Sequence, residues 1–375
     1  MNEYEEYEET YSQEEIDLIS LGKSYYENEK YEDTIDIFLE LINLNPDNYE
    51  SWHYLGMSYA QIKEYKKAIG FLLKAIEYNP EEELDWCWLG YSYNENEQYQ
   101  EAIDSLLKAV ELNPENDNNW YELGRSYNGN KQYREAIESL LKAVELNPND
   151  EDNWYWLALA YFQNGQYKKT EEALLKAIEI KPDYYACWCG LILSYKKMED
   201  FINEIETCKQ LIKLNPDDDI GWEYLGNAYY KNEQYKEAIE SFLKTVELNP
   251  ENDNNWYWLG KSYCKNKYYE KAIESLLKAI ELNPNDEYNW LWLGNSYIGL
   301  KDYNNAIQSY EKGIEINSTN CNMLNNYGVD LANLNRIEEA KKCFEKALEI
   351  DSDYNLAREN IDNLISSGIC KVSIL

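Results

Sequence analysis

Residues 110–121 read Val-Glu-Leu-Asn-Pro-Glu-Asn-Asp-Asn-Asn-Trp-Tyr, and residues 246–257 repeat all twelve letters 136 positions later. Both copies sit on a shorter beat. The eight prolines, Pro46, Pro80, Pro114, Pro148, Pro182, Pro216, Pro250 and Pro284, each follow the last by 34 residues. Eight of the twelve tryptophans keep the same interval: Trp52, Trp86, Trp120, Trp154, Trp188, Trp222, Trp256 and Trp290. The opening separation is therefore four periods of 34. A fixed period of this size denotes a stacked repeat array. The repeats 117–150 and 253–286 differ at only 8 of 34 places, which suggests that a block of repeats was duplicated.

One repeat shows why the period is structural. In 117–150, Trp120, Leu123, Gly124 and Tyr127 fall on one stripe of a helix. Asn130 follows, a residue type that tolerates the left-handed conformation closing a helix. Tyr133, Ala136, Ile137, Leu140, Leu141 and Val144 make a second amphipathic helix. Asn147-Pro148-Asn149-Asp150 breaks it and offers Asn and Asp side chains to cap the next. Gly124 and Ala136 are small where two helices must approach closely. A single hairpin of this kind cannot bury both apolar faces, so neighbours must stack.

Trp120, Leu123, Gly124, Tyr127, Ala136, Leu140, Ala143 and Pro148, recurring every 34 residues, are similar to the tetratricopeptide repeat family. The resemblance covers ten repeats: 15–48, 49–82, 83–116, 117–150, 151–184, 185–218, 219–252, 253–286, 287–320 and 321–354. It implies an all-α, right-handed α-solenoid of antiparallel helix pairs whose concave groove binds peptides or partner proteins. The end repeats depart from the pattern, with Leu18 in the first and Leu324, Leu331 and Ser352 in the tenth. Segment 355–368, with Leu356, Ala357, Ile361, Leu364 and Ile365 on one stripe, reads as a capping helix that Gly368 ends. The sixth repeat carries Ile192 for Gly, Glu204 for the first Ala and Leu211 for the second, and is expected to stack more loosely, as a hinge.

Composition bounds the partners. With 71 acidic against 35 basic residues, the formal charge is −36. Phosphate backbones and anionic lipid repel such a chain, so membrane and nucleic-acid binding are disfavoured. The start, MNEYEEYEETYSQEE, has neither the cationic nor the apolar stretch of a secretory signal. The eight cysteines lack a disulfide framework spacing and read as reduced thiols of a cytoplasmic protein. Residues 1–14 form an acidic segment of disordered composition, and 369–375 a short apolar tail.

By the same resemblance, the first helix of each pair lines the groove. Counting from the repeat's tryptophan, the inward places are mostly −2, +1, +5, +8 and +9. They supply the candidate partner-binding residues Tyr91, Tyr121, Arg125, Tyr155, Lys196, Lys197, Asn227, Lys231, Tyr257, Lys261, Lys265 and Asn295. Basic residues outnumber acidic ones at +1, +5, +8 and +9, and including −2 adds Glu50 and Asp152. Between 185 and 286 these inward places hold five lysines and one glutamate, Glu223. The expectation is a locally cationic, tyrosine-lined groove for a peptide or protein, with an acidic partner favoured. The Lys/Asn clamp by which some family members hold acidic chaperone C-termini is absent, since no repeat has Lys at +1. Trp88, Trp156, Trp258 and Trp292, at +2, are assigned to core packing.

Catalytic chemistry finds little purchase. His53 is the single histidine, and Cys187-Trp188-Cys189 lacks the Cys-x-x-Cys spacing of a redox pair. No phosphate-binding glycine loop appears, and neither metal nor cofactor is expected. The leading reading is a non-catalytic interaction scaffold. The alternative is a glycan binder, or less readily a single-stranded nucleic-acid binder, using Tyr and Trp rings as stacking platforms.

Overall fold

The computed structural model describes residues 12–366, all-α throughout. The chain divides into two compact units, one ending at Ser194 and one beginning at Tyr195. In the N-terminal unit the hairpins are α1 (Gln13–Glu27) with α2 (Tyr31–Leu44), α3 (Tyr49–Gln61) with α4 (Tyr65–Tyr78), α5 (Glu83–Glu95) with α6 (Tyr99–Leu112), α7 (Asp117–Gly129) with α8 (Tyr133–Leu146), and α9 (Glu151–Gln163) with α10 (Tyr167–Ile180). Helix α11 (Tyr185–Met198) contains the boundary. The C-terminal unit continues with α12 (Phe201–Leu214), then α13 (Asp219–Lys231) with α14 (Tyr235–Leu248), α15 (Asp253–Lys265) with α16 (Tyr269–Leu282), α17 (Glu287–Gly299) with α18 (Tyr303–Ile316), and α19 (Cys321–Asn333) with α20 (Ile337–Ile350). Helix α21 (Asn355–Ser366) comes last and packs on α19 and α20.

Within each unit, second helices also pack on the first helix of the next hairpin, as α4 does on α5 and α14 on α15. First helices touch one another directly, α3 on α5, α5 on α7, α7 on α9, and again α13 on α15 and α15 on α17. Comparable contact between successive second helices is absent among the described residues. Within each unit the first helices are thus the closer-set layer of an α-solenoid.

The shared beat of proline and tryptophan has one cause. Each of the eight repeat tryptophans donates its indole N–H to the carbonyl of the proline six residues earlier, at 2.8–3.1 Å. Proline stops the preceding helix because it has no N–H to continue the ladder, and tryptophan fastens the resulting turn. Asp150 caps α9 by accepting from the backbone of Asp152 and Asn153, as its position implied. Asn147 ties the far end of its hairpin by donating to Asp117 at 3.0 Å, and Asn283 does the same to Asp253 at 2.9 Å.

Close approach explains the small residue at +4. A Cβ on Gly22 would lie 2.6 Å from the Phe38 ring, and one on Gly260 would lie 2.6 Å from Leu276. The sixth repeat reverses the sizes in sequence: Ile192 stands at the glycine place and Cys208 sixteen residues on, where others carry Leu, Phe or Tyr. Both are fully buried. Glu204, at the alanine place, is 1% exposed, and its Oε2 has no hydrogen-bond partner. Burial pushes its pKa up, against the pull of Lys231 and Lys196.

One expectation is corrected. Asn130 is not left-handed; it caps α7 at φ −79, and Lys131 takes the left-handed place at φ 62. The turn puts that residue one step later, where the Gln132 N–H returns to the Tyr127 carbonyl at 2.8 Å. Asn130 instead donates its side-chain amide to Gln132. Every hairpin uses the same turn, with Glu, Lys or Asn in nine of the ten left-handed places and Gly165 in the other.

At the C-terminal end Leu324 and Leu331 are buried, and Ile361 and Leu364 pack onto the cluster that includes Phe344 and Ala357. A buried amide chain runs beside it: Asn360 donates to Asn325, Asn325 to Asn326, and Asn326 to Asn295. Asp330 is fully buried with neither carboxylate oxygen hydrogen-bonded, and burial raises its pKa to about 8. Residues 1–11 and 367–375, which hold most of the acidic segment, the apolar tail and Gly368, lie outside the described residues.

Candidate partner-binding surface

Because first helices abut, their inward positions form a continuous strip within each unit. Exposure along it is uneven. At +1, His53, Cys87, Leu291 and Asn325 are buried, whereas Tyr121, Tyr155, Glu223 and Tyr257 are half-buried. At +5, Met57, Asn295 and Val329 are buried, and Tyr91, Arg125, Asn227 and Lys261 are half-buried. The strip is therefore accessible mainly in the middle of the chain.

Asn295, read from sequence as a groove residue, belongs to the core. It accepts from the Tyr310 hydroxyl at 2.8 Å and from Asn326 at 2.9 Å, bridging α17, α18 and α19. Tyr310 fills the place where other repeats carry Leu, Phe or Cys, and its buried hydroxyl needs an acceptor. His53 is likewise internal: its Nδ1 lies 2.7 Å from Asp85, and Tyr49 donates to the same carboxylate at 2.8 Å. The trio ties α3 to α5.

Arg125 is accessible but already matched. It donates to both oxygens of Glu122 at 3.0 Å and to Glu95 at 2.8 Å. Its guanidinium also faces the rings of Trp156 and Tyr121, at 5.0 and 5.7 Å. Asn94 donates to Glu122 as well, at 3.2 Å. Burial works against the arginine charge, and Glu122 and Glu95 outweigh it, holding its pKa above the ordinary value. Burial raises the Glu122 carboxyl against the pull of Arg125.

Lys261 occupies the same place in the duplicated repeat with different neighbours. Its ammonium lies 4.4 Å from the Trp258 ring centre, 5.2 Å from those of Tyr230 and Trp292, and 5.4 Å from that of Tyr257. It donates to the Tyr257 hydroxyl at 3.3 Å. Lys265 reaches the same Trp292 ring, 5.7 Å from its centre. Neither lysine has a carboxylate partner among the described residues. Burial and the nearby Lys265 lower the Lys261 pKa to about 8. Ring faces attract a desolvated cation by about 2 kcal/mol, which holds the amine in place without cancelling its charge.

Of the other candidate lysines, Lys231 and Lys197 are exposed and Lys196 is half-buried. Lys196 is near enough to act on both Glu204 and Glu223. The residues that sequence reasoning missed are the ring walls: Tyr230 at +8, and Trp156, Trp258 and Trp292 at +2. Trp292 is buried, in keeping with core packing, but the other two are half-buried and present ring faces to cations. The signal was available at +2, where one copy of the duplicated repeat has Glu122 and the other Trp258.

Between Tyr155 and Leu193, at the end of the N-terminal unit, the strip is apolar. A pocket of about 420 Å³ is lined by Tyr155, Leu159, Phe162, Tyr185, Cys189 and Leu193, among others. Gly190 is part of its lining, at a +2 place where neighbouring repeats carry Trp156 and Tyr224. Tyr91 packs edge-on to Trp88 and Tyr65. Among the described residues no group of three His, Cys, Asp or Glu is arranged to hold a metal ion, and no helix is long and apolar enough to cross a membrane.

The family's sequence models match along most of the array. Those described as tetratricopeptide repeat match 49–82, 152–184, 207–240, 254–286, 288–320 and 322–354, and one described as TPR repeat matches 124–165 and 226–267. A protein prenyltransferase alpha subunit repeat model matches 31–60, and one for subunit 3 of the anaphase-promoting complex, cyclosome, matches 71–143. No curated protein matches the chain in sequence. Among solved structures, the C-terminal part of a TPR repeat-containing protein from Cytophaga hutchinsonii is 20% identical, covering 64% of this chain and 98% of that one with a TM-score of 0.55. YrrB, described as a TPR protein with an unusual peptide-binding site, is 18% identical over 49% of this chain and 95% of its own, with a TM-score of 0.43. MamA is 26% identical over 43% of this chain and 95% of its own, with a TM-score of 0.41. With ten hairpins on one 34-residue beat and family matches along the array, the chain belongs to the tetratricopeptide repeat family.

Proposed function

We propose that the protein is a non-catalytic cytoplasmic scaffold that holds a peptide segment or partner protein along the inward strip of its first helices. The observation that carries this reading is the strip's unsatisfied chemistry. In one unit it offers an apolar pocket with ring walls, and in the other it offers lysines without carboxylate partners. A strip that served packing alone would have neutralised those charges, as Arg125 is neutralised. The pocket suits an apolar side chain of the bound segment, and the lysines suit an acidic one.

Site-specific photocrosslinking tests this directly. A benzophenone side chain placed at Tyr155, Asn227 or Lys231 should trap a partner from the native cell, whereas one at Glu138, on the opposite helix layer, should not. Affinity purification of a variant with Lys196, Lys197, Lys231, Lys261 and Lys265 changed to Glu should lose that same partner while keeping wild-type helicity. Equal trapping from Glu138 would contradict the reading. Capture of glycan rather than protein would replace it with the ring-stacking alternative.

A further inference from the structure

We propose that Lys261 and Lys265, meeting over Trp292, form a subsite for a side-chain carboxylate of an acidic segment in the bound partner; this rests on the scaffold reading above. The chain contains its own precedent. At the homologous place one block earlier, the cation Arg125 is filled by two carboxylates, Glu122 and Glu95. In the later block those two positions are Trp258 and Lys231, and Asn94, which supported Glu122, is Tyr230. The cation has been kept and its internal anions removed. What filled the site in one copy is the chemistry that the other copy lacks.

Three further observations favour a carboxylate from outside. First, at one recurring place on the second helices, Lys74, Lys108, Lys142, Lys176, Lys244, Lys278 and Lys312 each contact the glutamate three residues on. Lys261 and Lys265 have no such carboxylate among the described residues, in a protein with two acids per base. Second, the site is organised in advance. Four rings fix the Lys261 amine, so little side-chain freedom remains to be lost on binding. Third, the Tyr257 hydroxyl accepts from Lys261 through its oxygen, which leaves its own O–H able to donate to an arriving anion. Two like charges near one ring repel, and a bridging carboxylate relieves both. The remaining polar group against Lys261 from α13 is Tyr230; α17 contributes Trp292.

The test uses the full chain and a fluorescein-labelled, end-blocked hexaglutamate peptide, with hexaglutamine as the matched neutral probe, read by anisotropy at low salt. Hexaglutamate is expected to bind about tenfold or more tighter than hexaglutamine. Lys261→Gln and Lys265→Gln should each weaken hexaglutamate about fivefold or more, Lys261→Arg should retain it, and Lys278→Gln should leave it unchanged. Lys265 is the safer variant for folding, since fewer rings hold it. Hexaglutamate that binds wild type and both Gln variants equally would overturn the subsite and leave the scaffold reading standing. Hexaglutamate that binds no better than hexaglutamine at millimolar peptide would overturn the subsite too, while crosslinking from Tyr155 would still report on the scaffold.

Discussion

Repeats 117–150 and 253–286 differ at 8 of 34 positions, and one of those differences, Arg125 against Lys261, has opposite surroundings in the two. Around Arg125 the chain supplies two carboxylates and an amide; around Lys261 it supplies four rings. Four replacements around the cation separate the two environments: Glu95, Glu122, Asn94 and Gly129 become Lys231, Trp258, Tyr230 and Lys265. The ring contributed by the following repeat, Trp156 or Trp292, is common to both. The backbone, the latch of tryptophan to proline and the turn are the same. A duplicated framework has thus produced one site whose cation is paired within the chain and one whose cation has ring neighbours and no internal carboxylate, the site we propose a ligand fills.

That contrast predicts opposite signs for the same kind of change. Arg125→Met should destabilise the protein by about 3 kcal/mol, because Glu122 would be left buried beside Glu95 without a cation. Chemical denaturation at pH 7 would measure it, and a loss under 1 kcal/mol would mean the pair is not coupled. The reciprocal graft, Lys231→Glu with Trp258→Glu, should close the open site. Hexaglutamate affinity is then expected to fall about tenfold, with the Lys261 pKa rising toward the ordinary lysine value. Unchanged affinity would show that the missing carboxylates are not what keeps the site open.

Lys261→Met should stabilise the protein by about 1 kcal/mol at pH 7. The sign follows from linkage. The folded-state pKa, about 8, lies below that of an unfolded lysine, so the cost of holding the charge is complete below pH 8. It is relieved as pH rises from there toward 10.5, the ordinary value. The stabilisation by Lys261→Met should therefore shrink at pH 10, and thermal melts at pH 7 and pH 10 would show it. The smallest effect is a control on the framework. Lys131→Gly and Lys267→Gly, at φ 62 and φ 63, should each stabilise by about 0.5–1 kcal/mol, and by the same amount. Unequal values would mean that the two repeats do not share a backbone after all.

The fold was legible because its determinants are local and repeated. Proline, tryptophan and the small residue at +4 recur every 34 residues, and each makes one contact that recurs with it. The bond from tryptophan to proline was invisible in sequence only because both residues also have simpler readings, as helix breaker and core ring. The left-handed residue was misplaced by one because its hydrogen-bonded turn, not its side chain, selects the position. The site was legible in outline and wrong in detail. Cations at +5 were identified, but whether a cation is open depends on residues 30 positions away, such as Glu95 for Arg125. Asn295 was misassigned for the same reason: Tyr310 and Asn326, on neighbouring helices, pull it into the core. Pairing across repeats is a property of the stack, and one repeat read alone does not contain it.

The most direct measurement is the pH titration of the Lys261 side-chain amine by NMR, with Lys261→Arg to assign the signal, in the free protein and with saturating hexaglutamate. The expected result is a free-state pKa of about 8, rising when the peptide is bound, with peptide affinity falling above pH 8 in wild type and staying level in Lys261→Arg. Tyr257 and Tyr230, both held above their ordinary range by burial, stay protonated through that window. A free-state pKa equal to that of an ordinary lysine, or one that does not move when the peptide binds, would contradict the open site.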